Sequence, residues 1–150
     1  MQRIEAFTEI SRGTLNSHDL AHALMPYARR YLGAPDVNAL QAILDSDEPG
    51  DDDLEIINET IDALQDYAAP YCYIGSHEAD GALLGCWPCV ESALDDPLLP
   101  RVKDTSEIEA DYMGFALHVN DHGNVTLYEC HGPNPDAPDY CLAVELWGVV

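Results

Sequence analysis

The chain is nearly bare of positive charge. Its 150 residues hold six Lys and Arg against 28 Asp and Glu, a formal net charge of -22. Lys103 is the one lysine, and no Lys or Arg lies between Tyr31 and Pro100. Too few cations are present to neutralise a run of phosphates, which excludes direct nucleic-acid binding. The same charge repels anionic membrane and attracts basic surfaces. No stretch approaches the roughly 18 apolar residues of a membrane span. The first ten residues lack the basic start and apolar run of a signal peptide. The five cysteines are odd in number, so they cannot all pair within one chain. Reduced thiols in a bacterial host cytoplasm are the expectation. There is no GxSxG and no glycine-rich phosphate loop, so neither an activated serine nor a nucleotide cradle is expected.

What is present is enough to fold. Apolar residues make up 47% of the chain, with eight Tyr, two Phe and two Trp. That separates it from acidic disordered tails, which are poor in such residues. The length fits one domain, residues 1–150, able to bury a core without disulfides.

The first half has helical spacing. Ile4, Phe7 and Ile10 recur every three residues up to Gly13 and predict a first helix. Ser17 is placed to cap a second helix beginning at His18, which Pro26 is expected to kink or divide. Val37, Leu40, Ile43 and Leu44 mark a short third helix. The clearest pattern runs from about Asp52 to Ala68. Leu54, Ile57, Ile61, Leu64 and Ala68 form an apolar stripe, and Asp52, Glu55, Glu59, Asp62 and Asp66 repeat its spacing two residues out of step. Two residues turn a helix by about 200°, so the acids face nearly opposite the stripe, in a row roughly 21 Å long. Solvated outer helix faces are commonly polar, but they usually mix signs, and this one has no counter-charge.

The second half has strand-like runs. Tyr71–Ile74 and Ala82–Trp87 flank a polar turn over Ser76–Gly81, and Val90–Leu94 is read as a helical turn. Met113–Val119 and Val125–Cys130 flank Asn120-Asp-His-Gly-Asn124, the turn chemistry of a hairpin. Asp95–Asp111 reads as an acidic loop, His131–Asp139 with its three prolines as another, and Leu142–Val150 as a last strand. Helices first and strands second predict an α+β fold, with N-terminal helices (residues 1–68) packed on a C-terminal antiparallel sheet (residues 70–150).

Two short motifs invite chemistry. Cys86-Trp-Pro-Cys89 resembles the redox motif of thioredoxin-like proteins, but it follows a helical half where that fold begins βαβ, and the surrounding acids disfavour a thiolate. As a zinc site, Cys86 and Cys89 need a second ligand pair, which could come from among Cys130, His131, Cys141, His118 and His122, and these form no second CxxC. His18-Asp-Leu-Ala-His22 looks like the zincin motif with Asp in place of Glu, too short to reach as a base, and it reads instead as a surface pair. No cofactor or metal is expected, and the chain is read as non-enzymatic.

A resemblance enters at the hairpin. His118-Val-Asn-Asp-His-Gly-Asn-Val-Thr-Leu-Tyr128, with Tyr73-Ile-Gly-Ser-His-Glu-Ala-Asp-Gly81 and Leu146-Trp-Gly-Val-Val150, resembles small phage and prophage proteins of uncharacterised role, similar in kind to acidic anti-CRISPR or anti-restriction inhibitors. The resemblance implies a bacterial cytoplasmic setting and, for the inhibitors that imitate the charge of DNA, a basic nucleic-acid-binding target on a host defence complex. It transfers no catalytic residue. Asp52, Glu55, Glu59, Asp62 and Asp66, with Asp95, Asp96, Glu107, Glu109 and Asp111, are the expected contacts to such a partner. The alternatives are an immunity or antitoxin protein against a basic nuclease, a zinc or thiol protein using Cys86 and Cys89, and acidity that serves only solubility at high salt.

Overall fold

Asn16 starts the first helix. Its backbone is extended, and its side-chain oxygen accepts hydrogen bonds from the backbone N–H groups of His18 (2.9 Å) and Asp19 (3.3 Å). The computed structural model describes residues 2–150, and in it α1 runs unbroken over Ser17–Tyr31. Pro26 lies inside α1 on its exposed side and does not divide it. α2 (Ala34–Asp45) opens with Pro near its first position, where a missing N–H costs nothing. α3 covers Asp53–Leu64 and tightens into a 3₁₀ turn over Gln65–Tyr67.

No helix forms over Ile4–Ile10. Ile4 instead bridges to Ala68 in parallel, donating to the Tyr67 carbonyl while its own carbonyl accepts from Ala69. Phe7 takes a left-handed φ of 65°, and the chain then becomes strand β1 (Glu9–Ser11). β1 pairs antiparallel with β3 (Asp80–Pro88), which forms a hairpin with β2 (Cys72–His77), in the order β1-β3-β2. At Gly85 an added Cβ would collide with the Thr8 carbonyl and the Trp87 ring, so this close strand approach needs glycine.

The chain divides into two compact units, one ending at Trp87 and the other spanning Pro88–Val150. In the first, Leu24, Leu40, Ile57 and Leu64 are buried with Ile4, Ile74 and Leu84 in a core between helices and sheet. Burying each such side chain is worth about 1.5–3 kcal/mol against leaving it in water. The second unit has a short helix α4 (Val90–Asp95) and strands β4 (Arg101–Val102), β5 (Met113–Val119), β6 (Val125–Asn134) and β7 (Ala137–Val149), ordered β4-β5-β6-β7. β5, β6 and β7 are antiparallel, while β4 runs parallel to β5, so this sheet is mixed. Leu117 pairs with Leu127 and Leu127 with Trp147 on one face; Ala116, Cys130 and Ile108 are buried together on the other.

The chain is therefore α+β, helices first and the larger sheet last, with the helical part carrying a small sheet of its own. The stretch His131–Asp139 is not a loop. β6 continues to Asn134, β7 begins at Ala137, and Pro135-Asp136 form the turn, with Asn134 Oδ1 accepting from the Asp136 N–H at 3.0 Å. Pro133 is tolerated because β5 ends its pairing at Met113–His131, leaving β6 without that neighbour at position 133. The acidic stretch before β5 is likewise not all loop: it holds β4 and a 3₁₀ turn, Thr105–Glu107.

Candidate functional site

The apolar face of α3 decides what its acids can do. Ile57, Thr60 and Leu64 are buried, and Thr60 satisfies its hydroxyl by donating to the Ile56 carbonyl at 2.8 Å. Residues advance by about 100° on a helix, which puts Leu54 and Thr60 on opposite flanks of Ile57. The core lies on the Thr60 flank. Leu54, expected in the stripe, is 57% exposed. The acids fall where their spacing put them: Asp52, Glu55, Glu59, Asp62 and Asp66 are all exposed. The α-helix itself carries only the middle three. Asp52 is the N-cap residue, without a side-chain cap bond, and Asp66 sits in the 3₁₀ turn, which extends the row without breaking it.

Neighbouring Asp53 behaves differently. Its carboxylate accepts from the Gly50 N–H at 2.8 Å and from the Ser17 hydroxyl at 3.5 Å, tying the start of α3 to the start of α1. Asp53 is structural, while the five row acids enter no ion pair among the described residues. Arg12 forms an ion pair with Glu9, and the His131 ring nitrogen lies 3.6 Å from a Glu129 carboxylate oxygen.

In the second unit the expected acids separate into two groups. Asp95 closes α4 and is exposed, whereas Asp96 is half-buried and its Oδ1 accepts from the Leu98 N–H at 2.9 Å. Glu107, Glu109 and Asp111 are exposed on the segment leading into β5, with one Glu107 oxygen accepting from the Lys103 N–H at 3.1 Å. Asp104, which the sequence reading passed over, caps the 3₁₀ turn through the Ser106 N–H at 2.9 Å. Hydrogen bonds from Ser106 hold its carboxyl below the usual range. The Asp104-Thr-Ser-Glu107 spacing is a capping-box signal that could have located it.

The cysteines of Cys86-Trp-Pro-Cys89 fall on either side of the unit boundary. Cys86 is fully buried and donates to the Ile4 carbonyl at 3.5 Å, while Cys89 precedes α4 as its N-cap residue and accepts from the Ser92 hydroxyl at 2.9 Å. A hydrogen bond from Cys72 lowers the Cys86 pKa against the opposing effect of burial. None of the five cysteines is in a disulfide. Among the described residues, no three or more His, Cys, Asp or Glu side chains gather as a metal-binding set. His18 and His22 are exposed on α1. No helix among the described residues is long and apolar enough to cross a membrane.

No family model, no curated protein and no solved structure matches this chain. The exposed carboxylates of the α3 row accept hydrogen bonds and pair with cations. No Lys or Arg lies between Tyr31 and Pro100 in the sequence, and Arg3, which comes close to the end of the row, donates to the Ala68 carbonyl at 2.9 Å.

Proposed function

We propose that this protein is a non-enzymatic acidic inhibitor, phage-encoded and acting in the bacterial cytoplasm, that occupies the basic nucleic-acid-binding surface of a host defence complex. The observation that carries the reading is the α3 row. Five exposed carboxylates stand on one face, turned away from the core, and none of them is in an ion pair among the described residues. Duplex DNA carries one charge per about 1.7 Å of axis, so the row is sparser than DNA, but it can fill part of a channel built for phosphates. Steering by opposite charge speeds such an association.

The test reverses Asp52, Glu55, Glu59, Asp62 and Asp66 together to Lys. Wild type and variant are used to capture partners from bacterial lysate, and association with the captured complex is timed. The variant is expected to keep its helical circular dichroism, because these positions are exposed, and to associate at least about tenfold more slowly. Binding is expected to weaken with salt, since exposed charges are screened beyond about 8 Å at 0.15 M. Equal capture of the same partners by both proteins, insensitive to salt, would sink the reading and leave the charge to serve solubility.

A further inference from the structure

The segment between β4 and β5 crosses one face of the larger sheet, and Ile108 pins it there against Ala116 and Cys130. Beside this contact is a hollow of about 200 Å³. Val102, Ile108, Tyr112 and Ala116 line it; Ala116 is fully buried and Ile108 nearly so. Glu107 and Glu109, both exposed, line it as well. The Tyr112 hydroxyl is committed to the Phe115 carbonyl at 2.7 Å, so the aromatic wall presents its ring and not a spare donor. One Glu107 oxygen is held by the Lys103 N–H. What remains for an occupant is apolar surface below and carboxylate oxygen at the side.

That combination selects against an anion, and it makes poor use of a neutral hydrocarbon, which would lie beside two charges without pairing them. It suits a cation on an aliphatic stem. Lysine and arginine side chains have this form, with a (CH₂) stem that packs on apolar surface and a head that seeks charge or water. We propose that this hollow receives a lysine or arginine side chain of the partner, stem against Val102, Ile108 and the Tyr112 ring, head between Glu107 and Glu109. The inference rests on the reading of the protein as a binder of basic surfaces. It adds a specific anchor to a contact that is otherwise diffuse charge.

The test uses small probes on the intact chain, followed by backbone amide NMR. n-Pentylammonium stands for lysine, N-butylguanidinium for arginine and n-pentanol for the stem without its charge. Saturable shifts are expected at Val102, Ile108, Tyr112 and Ala116 with either cation, with pentanol roughly fivefold weaker, the scale of one or two exposed ion pairs. Glu107→Gln with Glu109→Gln, both exposed, is expected to keep the native spectrum and erase the preference for the cations. Pentanol binding as well as the cations would overturn the proposal. So would cation shifts that appear only along α3 and other acidic stretches. The probes need no natural partner, so the two readings fail separately. Cation binding in the hollow with no loss of partners from the α3-reversed variant removes the α3 reading alone; the converse removes the pocket alone.

Discussion

Cys130 is a thiol that its surroundings hold protonated. It is 2% exposed on the inner face of β6, in a cluster with Ala116 and Ile108 and with Cys141 packed against it. Burial, reinforced by the charge and hydrogen bonding of Cys141, pushes its pKa from 9.0 up to about 12. The folded protein therefore binds this proton more tightly than the unfolded chain does. Stability from this group is complete below about pH 9 and is lost as pH rises toward 12. Burial also raises Tyr112 and Tyr128, which adds to the alkaline loss in the same direction. Urea denaturation at about pH 8 and about pH 10.5 is expected to show lower stability at the higher pH, with a shallower decline in Cys130→Ala. An unchanged slope in that variant would remove Cys130 as the cause. None of this was legible in the sequence, because Cys130 and Cys141 meet only through the pairing of β6 with β7 across an irregular register. The acids of α3 were legible, since a helix face is fixed by spacing alone. Leu54 was not, because spacing names a face but not which flank of it the neighbouring helices cover.

At the scale of elements, ends and edges are where local pattern loses authority. Ser17 looked like the cap of α1, yet Asn16 takes that role because its side chain reaches two N–H groups from an extended backbone. Asn16→Ala is expected to cost about 1 kcal/mol of stability, within the 0.5–2 kcal/mol usual for a lost cap. Ser17→Ala is expected to cost less, because its hydroxyl makes a 3.5 Å contact to Asp53 and caps nothing. Chemical denaturation of the two variants checks the order, and a larger loss in the serine variant would reverse the assignment. The misreading of Ile4, Phe7 and Ile10 has the same root. Three apolar residues at steps of three fit one helix face over nearly two turns, but they fit equally a chain that bridges at Ile4, reverses at Phe7 and pairs at β1. The partners of that segment, Ala68 and Gly85, are too far along the chain for any local window. Prolines misled in the other direction: Pro133 lies past the end of β5 and Pro138 on the edge strand β7, where a missing N–H breaks no ladder bond to a second neighbour. The hairpin over Asn120–Asn124 was readable in full. Its signal is self-contained: Asn120 Oδ1 accepts from both His122 and Asn124, and Gly123 takes a φ of 80°.

For the whole molecule, a net charge of -22 acts on folding and on binding with opposite signs of salt dependence. Like charges concentrated on one small chain repel more strongly when it is folded than when it is spread out, so screening should stabilise the fold. Screening should weaken a complex held by attraction between unlike charges. The melting temperature is therefore expected to rise between about 10 mM and 150 mM NaCl, as the Debye length shrinks from roughly 30 Å to 8 Å, while partner affinity falls over the same range. Sodium and tetramethylammonium chloride should give the same rise, because screening does not distinguish cations, whereas a specific site for one ion would. The shape of the curve separates function from habitat. A fold merely relieved of self-repulsion gains most of its stability by a few tenths molar salt, where screening already reaches neighbouring side chains. A protein acidic because it lives in brine would go on gaining into the molar range and would show no salt-sensitive partner at all. A plateau in stability together with a salt-sensitive complex would place the carboxylates in recognition. A flat melting curve from 10 mM upward would mean that the acids lie too far apart to load the fold, and the argument for a concentrated acidic face would fail with it.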